Sequence, residues 1–347
     1  MREPYTRPGG LHSYVRGLVS GQISIGLKPI VVDSVSASAR FNVAQGVLPE
    51  VIAADGATVA EYHFAHSAFP FLSRPWGPWK EAPRLFHFHG PWHQEGVVQG
   101  NGRARVFLKK AVESVVYKGF SRFIVASDAF GNSLAEQFGV EREKITTVYP
   151  GVDTDRFSTD LSSAHAREVL DLPSDTPIAA VVRRLEPRMG VADAIVALQS
   201  MPDLYLIIAG TGSLNGELQS LVRDLRLTDR VRFLGRVSDE ALPLVYRAAD
   251  VSIVPTRELE GFGMIVLESM ACGTPVVATR VGGLPEAMGP FADECSVNPR
   301  EPKELASKVL SVLDKPSLRR EVRSFAESRS NEEMARKVEG VVQQLLR

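Results

Sequence analysis

A chain of 347 residues is long for a single hydrophobic core and points to two domains. With 44% hydrophobic and 23% charged residues, a net charge of -1 and a pI near 6.7, it is an ordinary globular protein with no whole-chain attraction to nucleic acid. Two cysteines, Cys272 and Cys295, exclude a disulfide framework; with no apolar run of bilayer length and no signal-like start, the expected location is the cytoplasm.

Pro8-Gly9-Gly10 leads into a predicted helix over Leu11–Val19. In an α/β domain such a glycine loop follows a strand, yet Met1–Arg7 are polar and broken by proline. A first strand is therefore expected to be missing: either the chain starts short of its true beginning, or the first sheet lacks a central strand. Pro29–Val32 reads as a strand, 34–60 is weakly periodic, Tyr62–Leu72 is aromatic with two histidines, and Ser73–Pro83 is an irregular loop. Arg84–His89 predicts a strand with Phe86 and Phe88 on one face and His87 and His89 on the other. It ends at Gly90-Pro91-Trp92. Helix Arg103–Tyr117, strand Arg122–Ala126, helix Asp128–Phe138 behind a Ser127 N-cap, and strand Lys144–Tyr149 follow.

Residues 154–176 are polar, with one short helix, and read as a linker. A second alternating series then runs Ile178–Val182, Val191–Met201, Leu204–Ala209, Leu214–Leu225, Val231–Leu234, Asp239–Ala248 and Val251–Pro255. Met264–Cys272, the short apolar stretch Val276–Ala278, and amphipathic helices Pro302–Leu313 and Asn331–Leu346 close the chain. The alternation implies an α/β protein of two Rossmann-like domains, with parallel sheets and right-handed crossovers, facing a cleft. The expected boundaries are 1–157 and 158–322, with a C-terminal helix at 323–347 packing back on the first domain.

Ligands of open parallel sheets bind at the carboxyl ends of strands. That rule selects His87 and His89, Arg183 and Arg184, Gly210 and Gly212, and the loop holding Glu260. Arg183-Arg184-Leu185-Glu186-Pro187-Arg188 is a cation cluster whose guanidinium forks match a diphosphate. Gly210-Thr211-Gly212 is followed by Asn215 where a dinucleotide fingerprint needs glycine, with Gly216 one position late, so the signal for NAD is weak. Gly212 reads as a close backbone approach to a ligand, or as tight strand–helix packing. Glu260 and Gly261-Phe262-Gly263 precede the Met264–Cys272 helix, and Glu268 lies about one turn inside it. A helix N-terminus behind glycines is an anion cradle. On one helix the two carboxylates would be about 12 Å apart, too far for a retaining glycosidase pair at about 5–5.5 Å.

His87, His89 and His93 form an H-x-H-x-x-x-H pattern that could share a metal. No carboxylate or cysteine cluster supports it, and a cleft histidine acting by hydrogen bond or proton transfer is the expectation, with no metal. Asp153-Thr154-Asp155 reads as a turn and cap. The basic stretch Arg103, Arg105, Lys109, Lys110, Lys118 and Arg122, with Glu113 its only acid, is either a contact for an anionic membrane or acceptor or a solvated face. The first reading would place the protein peripherally at the inner membrane face.

The Glu260–Glu268 spacing with Gly-Phe-Gly, followed by A-C-G-T-P-V-V-A-T-R-V-G-G-L-P-E, resembles the E-x7-E signature of the family 4 retaining glycosyltransferases, whose fold is GT-B. P-G-G at 8–10, H-F-H-G-P-W at 87–92, V-Y-P-G-V-D at 148–153, R-R-L-E-P-R-M-G at 183–190, A-G-T-G at 209–212 and V-R-F-L-G-R-V at 231–237 match in the family's order. The resemblance implies that Arg184 and Arg188 bind the diphosphate of a nucleotide-sugar donor, with Gly10 approaching the phosphates from the other domain. It gives the base to the backbone around Arg236 and Val237 and the ribose to Glu268. The sugar falls to Glu260 with the N–H groups of Gly261, Phe262, Gly263, Met264 and Ile265. His89 would face the transferred sugar and the incoming hydroxyl of a glycan, lipid-linked or small-molecule acceptor. No metal or cofactor is implied. Met189 stands where many members have lysine, which leaves that charge to Arg188, and Ser330-Asn331-Glu332 lies where many have tryptophan. Two rival expectations are a catalytically impaired nucleotide-sugar binder, if the first strand is lacking, and a metal hydrolase at His87 and His89.

Overall fold

The computed structural model describes residues 10–29, 59–63, 65, 68, 83–98 and 100–347. The expectations for Met1–Arg7, for Pro8 and Gly9, and for residues 30–32 of the expected strand lie outside that set. The chain divides into two compact units, Met1–Arg7 with Leu18–Tyr149 and Glu332–Arg347, and Pro8–Gly17 with Pro150–Asn331.

In the first unit, β1 (Ala60–Tyr62), β2 (Arg84–Phe88), β3 (Arg122–Val125) and β4 (Ile145–Thr147) pair in parallel in that order among the described residues. The alternation read in β2 sends Phe86 and Phe88 into an aromatic cluster with Tyr117, Phe120, Phe123 and Phe130. Around the sheet lie α1 (Gly10–Ser24), α2 (Trp92–Val98), α3 (Arg103–Tyr117) and α4 (Asp128–Phe138). Ser127 caps α4 as expected, its Oγ accepting from Phe130 N at 3.2 Å. Helix α1 runs past the expected Val19 end, and its first half belongs to the second unit, where a Cβ on Gly17 would stand 2.5 Å from Asn331 Oδ1.

The second unit holds a six-stranded parallel sheet in the order β10 (Ser296–Val297), β9 (Val276–Thr279), β8 (Val251–Val254), β5 (Ile178–Val182), β6 (Tyr205–Ala209), β7 (Val231–Gly235). Sequences such as IAAVV, YLIIA and VVAT are almost wholly apolar because both faces of these strands are covered. The covering helices are α5 (Ser163–Val169), α6 (Val191–Ala197), α7 (Asn215–Asp224), α8 (Leu242–Ala248), α9 (Met264–Ala271), α10 (Leu284–Met288), α11 (Ala292–Cys295), α12 (Pro302–Leu313) and α13 (Leu318–Glu327). Helix α14 (Asn331–Leu345) ends the chain. Because β9, β8, β5 and β6 are neighbours, the loops leaving their carboxyl ends are gathered along one edge. No helix among the described residues is long and apolar enough to cross a membrane.

Candidate functional site

The loop after β5 turns two of its arginines in different directions. Arg183 points inward: its Nη2 donates to Glu260 Oε2 at 2.5 Å and to Thr256 Oγ1. The pair is largely shielded, with side-chain exposures of 8% for Arg183 and 15% for Glu260. Arg184 is exposed and makes no side-chain hydrogen bond or ion pair among the described residues. Arg188 reaches across to donate from Nη1 to Leu259 O at 2.6 Å, and Arg257 N returns a bond to Arg188 O at 2.8 Å. The cation beside Glu260 is thus Arg183, which the strand-end rule selects but the family resemblance passes over. Met189 is buried, so the charge of this loop rests on its arginines.

The neighbouring turns are built on the same loop. Leu185 N donates to Thr211 O and Leu214 N to Leu185 O, while Glu186 accepts from Ser213 N at 3.1 Å and Ser213 Oγ at 2.7 Å. Those hydrogen bonds, with the fields of Arg184 and Arg188 behind them, hold the Glu186 carboxyl below its usual range. A Cβ on Gly212 would fall 2.4 Å from Leu185 O. The space at Gly212 is therefore filled by a peptide of this same loop, and backbone packing alone requires the glycine.

Glu260 and Glu268 sit where the sequence places them, one before α9 and one inside it. Gly263, at φ 88, opens that helix, and the first N–H groups of an α-helix have no partner within it. Phe262 is buried, while Met264 and Ile265 are half-buried. Glu268 is shut in at 6% exposure and accepts a hydrogen bond from Tyr246 Oη at 3.1 Å. Burial pushes its carboxyl up, and the Tyr246 hydroxyl partly offsets this. Tyr246, on α8, is a site residue that the sequence does not single out. Val237, assigned to the base, is half-buried and packs on the apolar cluster of Ile178, Ala180 and Ile207, with exposed Arg236 before it. Gly10 is the first residue of α1.

In the first unit His89 lies just past β2 in a stack of imidazoles. His63 Nδ1 and His89 Nε2 are 3.0 Å apart, and the His63 ring stacks on His87 at 4.4 Å and on His89 at 5.3 Å. His87 Nε2 meets Glu61 Oε2 at 3.0 Å, and Glu61 also accepts from Gln22. Burial first, and the neighbouring imidazoles second, hold His63 well below its ordinary range and His89 down to about 3. Both rings are thus neutral at pH 7. Ligand atoms of Glu61, His63 and His87 lie within 4.8 Å of one another. Imidazole lone pairs lie in the ring plane, however, and rings only 24° from parallel do not converge on one ion. The geometry is that of a hydrogen-bonded stack. His93 is elsewhere: it starts α2, with Nδ1 2.8 Å from Glu113 Oε2, so the three-histidine pattern is not brought together.

The basic stretch is likewise re-sorted. Glu113 is fully buried and accepts from Trp92 N, His93 N and Tyr117 Oη, besides its contact with the His93 ring. Lys109 is also buried, with Nζ 4.8 Å over the Trp92 ring. What α3 leaves to solvent is Arg103, Arg105 and Lys110 together with Phe107 at 76% exposure and Leu108 at 63%.

Comparisons with known proteins agree on the family. Residues 9–156 match Glycosyltransferase Family 4, and residues 162–329 match Glycosyl transferases group 1. The D-inositol 3-phosphate glycosyltransferase of Mycolicibacterium smegmatis is 37% identical over 213 residues, 60% of this chain and 49% of that protein. D-inositol 3-phosphate glycosyltransferase 2 of Catenulispora acidiphila is 34% identical over 217 residues, 59% of this chain and 50% of that one. The chain spans about half the length of the curated relatives it matches. Among solved structures, the sucrose-phosphate synthase of Thermosynechococcus elongatus superposes with a TM-score of 0.76 at 24% identity, covering 97% of this chain and 94% of that one. HepE of Anabaena in complex with UDP and glucose gives 0.75 at 19% identity, covering 97% of each. These likenesses establish the GT-B fold. With the two family matches together spanning nearly all of its length, the chain belongs to the family 4 glycosyltransferases.

Proposed function

We propose that the chain is a retaining, metal-independent glycosyltransferase that moves a hexose from a nucleoside-diphosphate sugar to a hydroxyl of a glycan, lipid-linked or small-molecule acceptor. What supports this reading is the joining of the Arg183–Arg188 loop to the Glu260 loop, through Arg183 to Glu260 and Arg188 to Leu259 O, just ahead of the N-terminus of α9 at one edge of a parallel sheet. In glycosyl transfer the acceptor oxygen bonds to the anomeric carbon as its bond to the β-phosphate oxygen breaks. The sugar gains positive character, the diphosphate gains negative charge, and the acceptor proton ends on a departing phosphate oxygen. Arg184 and Arg188 stabilise that leaving group, helped by the α9 dipole. Glu260, with the backbone from Gly261 to Ile265, holds the sugar hydroxyls, and buried Glu268 takes the ribose. The backbone at Val237 takes the base, and His89 serves the transferred sugar and the incoming hydroxyl. The known complex of Anabaena HepE with UDP and glucose makes UDP-sugars the first donors to try, and the inositol-phosphate relatives suggest a polyol phosphate as first acceptor.

The test is release of nucleoside diphosphate from a panel of UDP-, GDP- and ADP-sugars, with and without EDTA, followed by NMR of the product's anomeric proton. Turnover persists in EDTA, and the product keeps the donor's anomeric configuration. Glu260→Ala and Arg184→Ala each lower kcat by about 100-fold or more, the scale of a lost charge-stabilising contact. Binding of donors without consumption across a broad acceptor panel, or full turnover by Glu260→Ala, would overturn the proposal.

The exposed face of α3 suggests where an acceptor-bearing surface docks. Phe107 and Leu108 among Arg103, Arg105 and Lys110 make an apolar tip ringed by cations, the pattern of an interfacial contact with anionic lipid.

A further inference from the structure

The donor reading gives no task to Arg183, yet no cation of the loop is more tightly built in. Its backbone N–H donates to Ala209 O at 2.9 Å, and a Cβ on Gly210 would stand 1.8 Å from its carbonyl oxygen, so the turn after β6 lies directly on it. Its guanidinium joins Glu260 and Thr256, and the carbonyl of Thr256 in turn accepts from Thr279 Oγ1 at 2.6 Å. Through this one side chain the carboxyl ends of β5, β8 and β9 are tied together.

Glu260 is fixed from its other side as well. Its carbonyl accepts from Gly283 N at 3.1 Å, and Gly282 packs so closely that a Cβ would fall 1.9 Å from that same oxygen. Of its carboxylate oxygens, Oε2 is taken by Arg183, while Oε1 has no hydrogen-bond partner among the described residues.

We infer that Arg183 is the positioning residue of Glu260, holding the carboxylate aimed through Oε2 so that Oε1 is presented to the hydroxyls of a neutral hexose. The loop thereby divides its labour: Arg183 serves the sugar end through Glu260, and Arg184, free at the surface, is left for the diphosphate. The inference rests on the donor-site reading above.

Calorimetry of UDP alone and of the UDP-sugar that the enzyme consumes separates the two ends of the site, using wild type, Arg183→Met, Arg183→Lys and Glu260→Gln. Arg183→Met keeps its affinity for UDP within about threefold but loses about tenfold or more in kcat/KM for the sugar donor, the usual size of a lost charge-assisted contact. Arg183→Lys recovers part of that loss. Adding Arg183→Met to Glu260→Gln costs little more than Glu260→Gln alone, the mark of one residue acting through another. That comparison remains decisive if the single methionine variant folds poorly. Fully independent effects in the double variant, or equal losses for UDP and UDP-sugar, would overturn the inference and leave the donor site standing. A wild type that binds neither UDP nor any nucleotide sugar would remove the donor-site reading itself, and this inference with it.

Discussion

Replacing Tyr246 by phenylalanine removes one oxygen from the molecule and leaves the ring in place. That oxygen donates to Glu268 Oε2 at 3.1 Å, and both side chains are almost wholly buried. A hydrogen bond to a charged acceptor is worth about 1.5–3 kcal/mol, and nothing in the variant replaces it. The cost depends on pH in a direction that can be worked out. Burial already raises the Glu268 carboxyl above its ordinary 4.5 in the folded protein. Its neutral form therefore contributes stability that is complete below the unfolded value and is lost as pH rises through the folded one. The tyrosine hydroxyl opposes that rise, so removing it pushes the folded value higher and deepens the loss. Urea unfolding followed by circular dichroism at pH 8 and near pH 5 gives the comparison. The deficit of Tyr246→Phe is about 2–3 kcal/mol at pH 8 and smaller near pH 5, because the fraction of neutral carboxyl, which needs the donor less, grows as pH falls. A deficit equal at both values, or none at all, would refute the account of Glu268 as a buried carboxylate steadied by Tyr246.

Acid should unfold the first unit through its histidine stack. His63 and His89 are held neutral, so their contribution is complete above the ordinary 6.5 and drains as pH falls, for His89 toward about 3. For His89 alone this amounts to at most about 5 kcal/mol. Melting temperatures measured from pH 7 to pH 4.5 fall less steeply in His63→Gln and His89→Gln than in the wild type; parallel slopes would show that the stack is not buried. The α3 face is tested by co-sedimentation with vesicles of phosphatidylcholine alone or with 30% anionic lipid, roughly the composition at which a few cations contribute about 1 kcal/mol each. Binding appears only with anionic lipid, falls with salt, and is lost in Phe107→Ser with Leu108→Ser; retention by that variant would remove the membrane contact.

What was legible in the sequence depended on whether the cause of a structure lies nearby in the chain. Strands β5 and β6 announce themselves because burial on both faces demands unbroken apolar runs, and α4 because Ser127 and Gly139 cap it locally. Helix α2 does not, since its first N–H groups are satisfied by Glu113 some twenty residues later. Helix α13 does carry a readable stripe, with Leu318, Val322, Phe325 and Ala326 at i, i+4, i+7 and i+8 on an otherwise charged segment. Within the site, the order of motifs places both glutamates, but which of two adjacent arginines turns inward is decided by strand twist and by Thr256, seventy residues away. Pairing of Tyr246 with Glu268, and of His63 with His89, likewise joins residues with no mutual spacing to read.

Glu113 deserves a last word for what its burial does at a distance. By drawing the one acid of the Arg103–Arg122 stretch inside to close α2, the fold separates how much charge the chain carries from where it lies. At α3 solvent then meets Arg103, Arg105 and Lys110 with no acid of that stretch beside them, although the net charge of the chain is -1. A charged surface can orient a protein whose total charge is small, because the torque on an uneven charge distribution does not vanish when the total does.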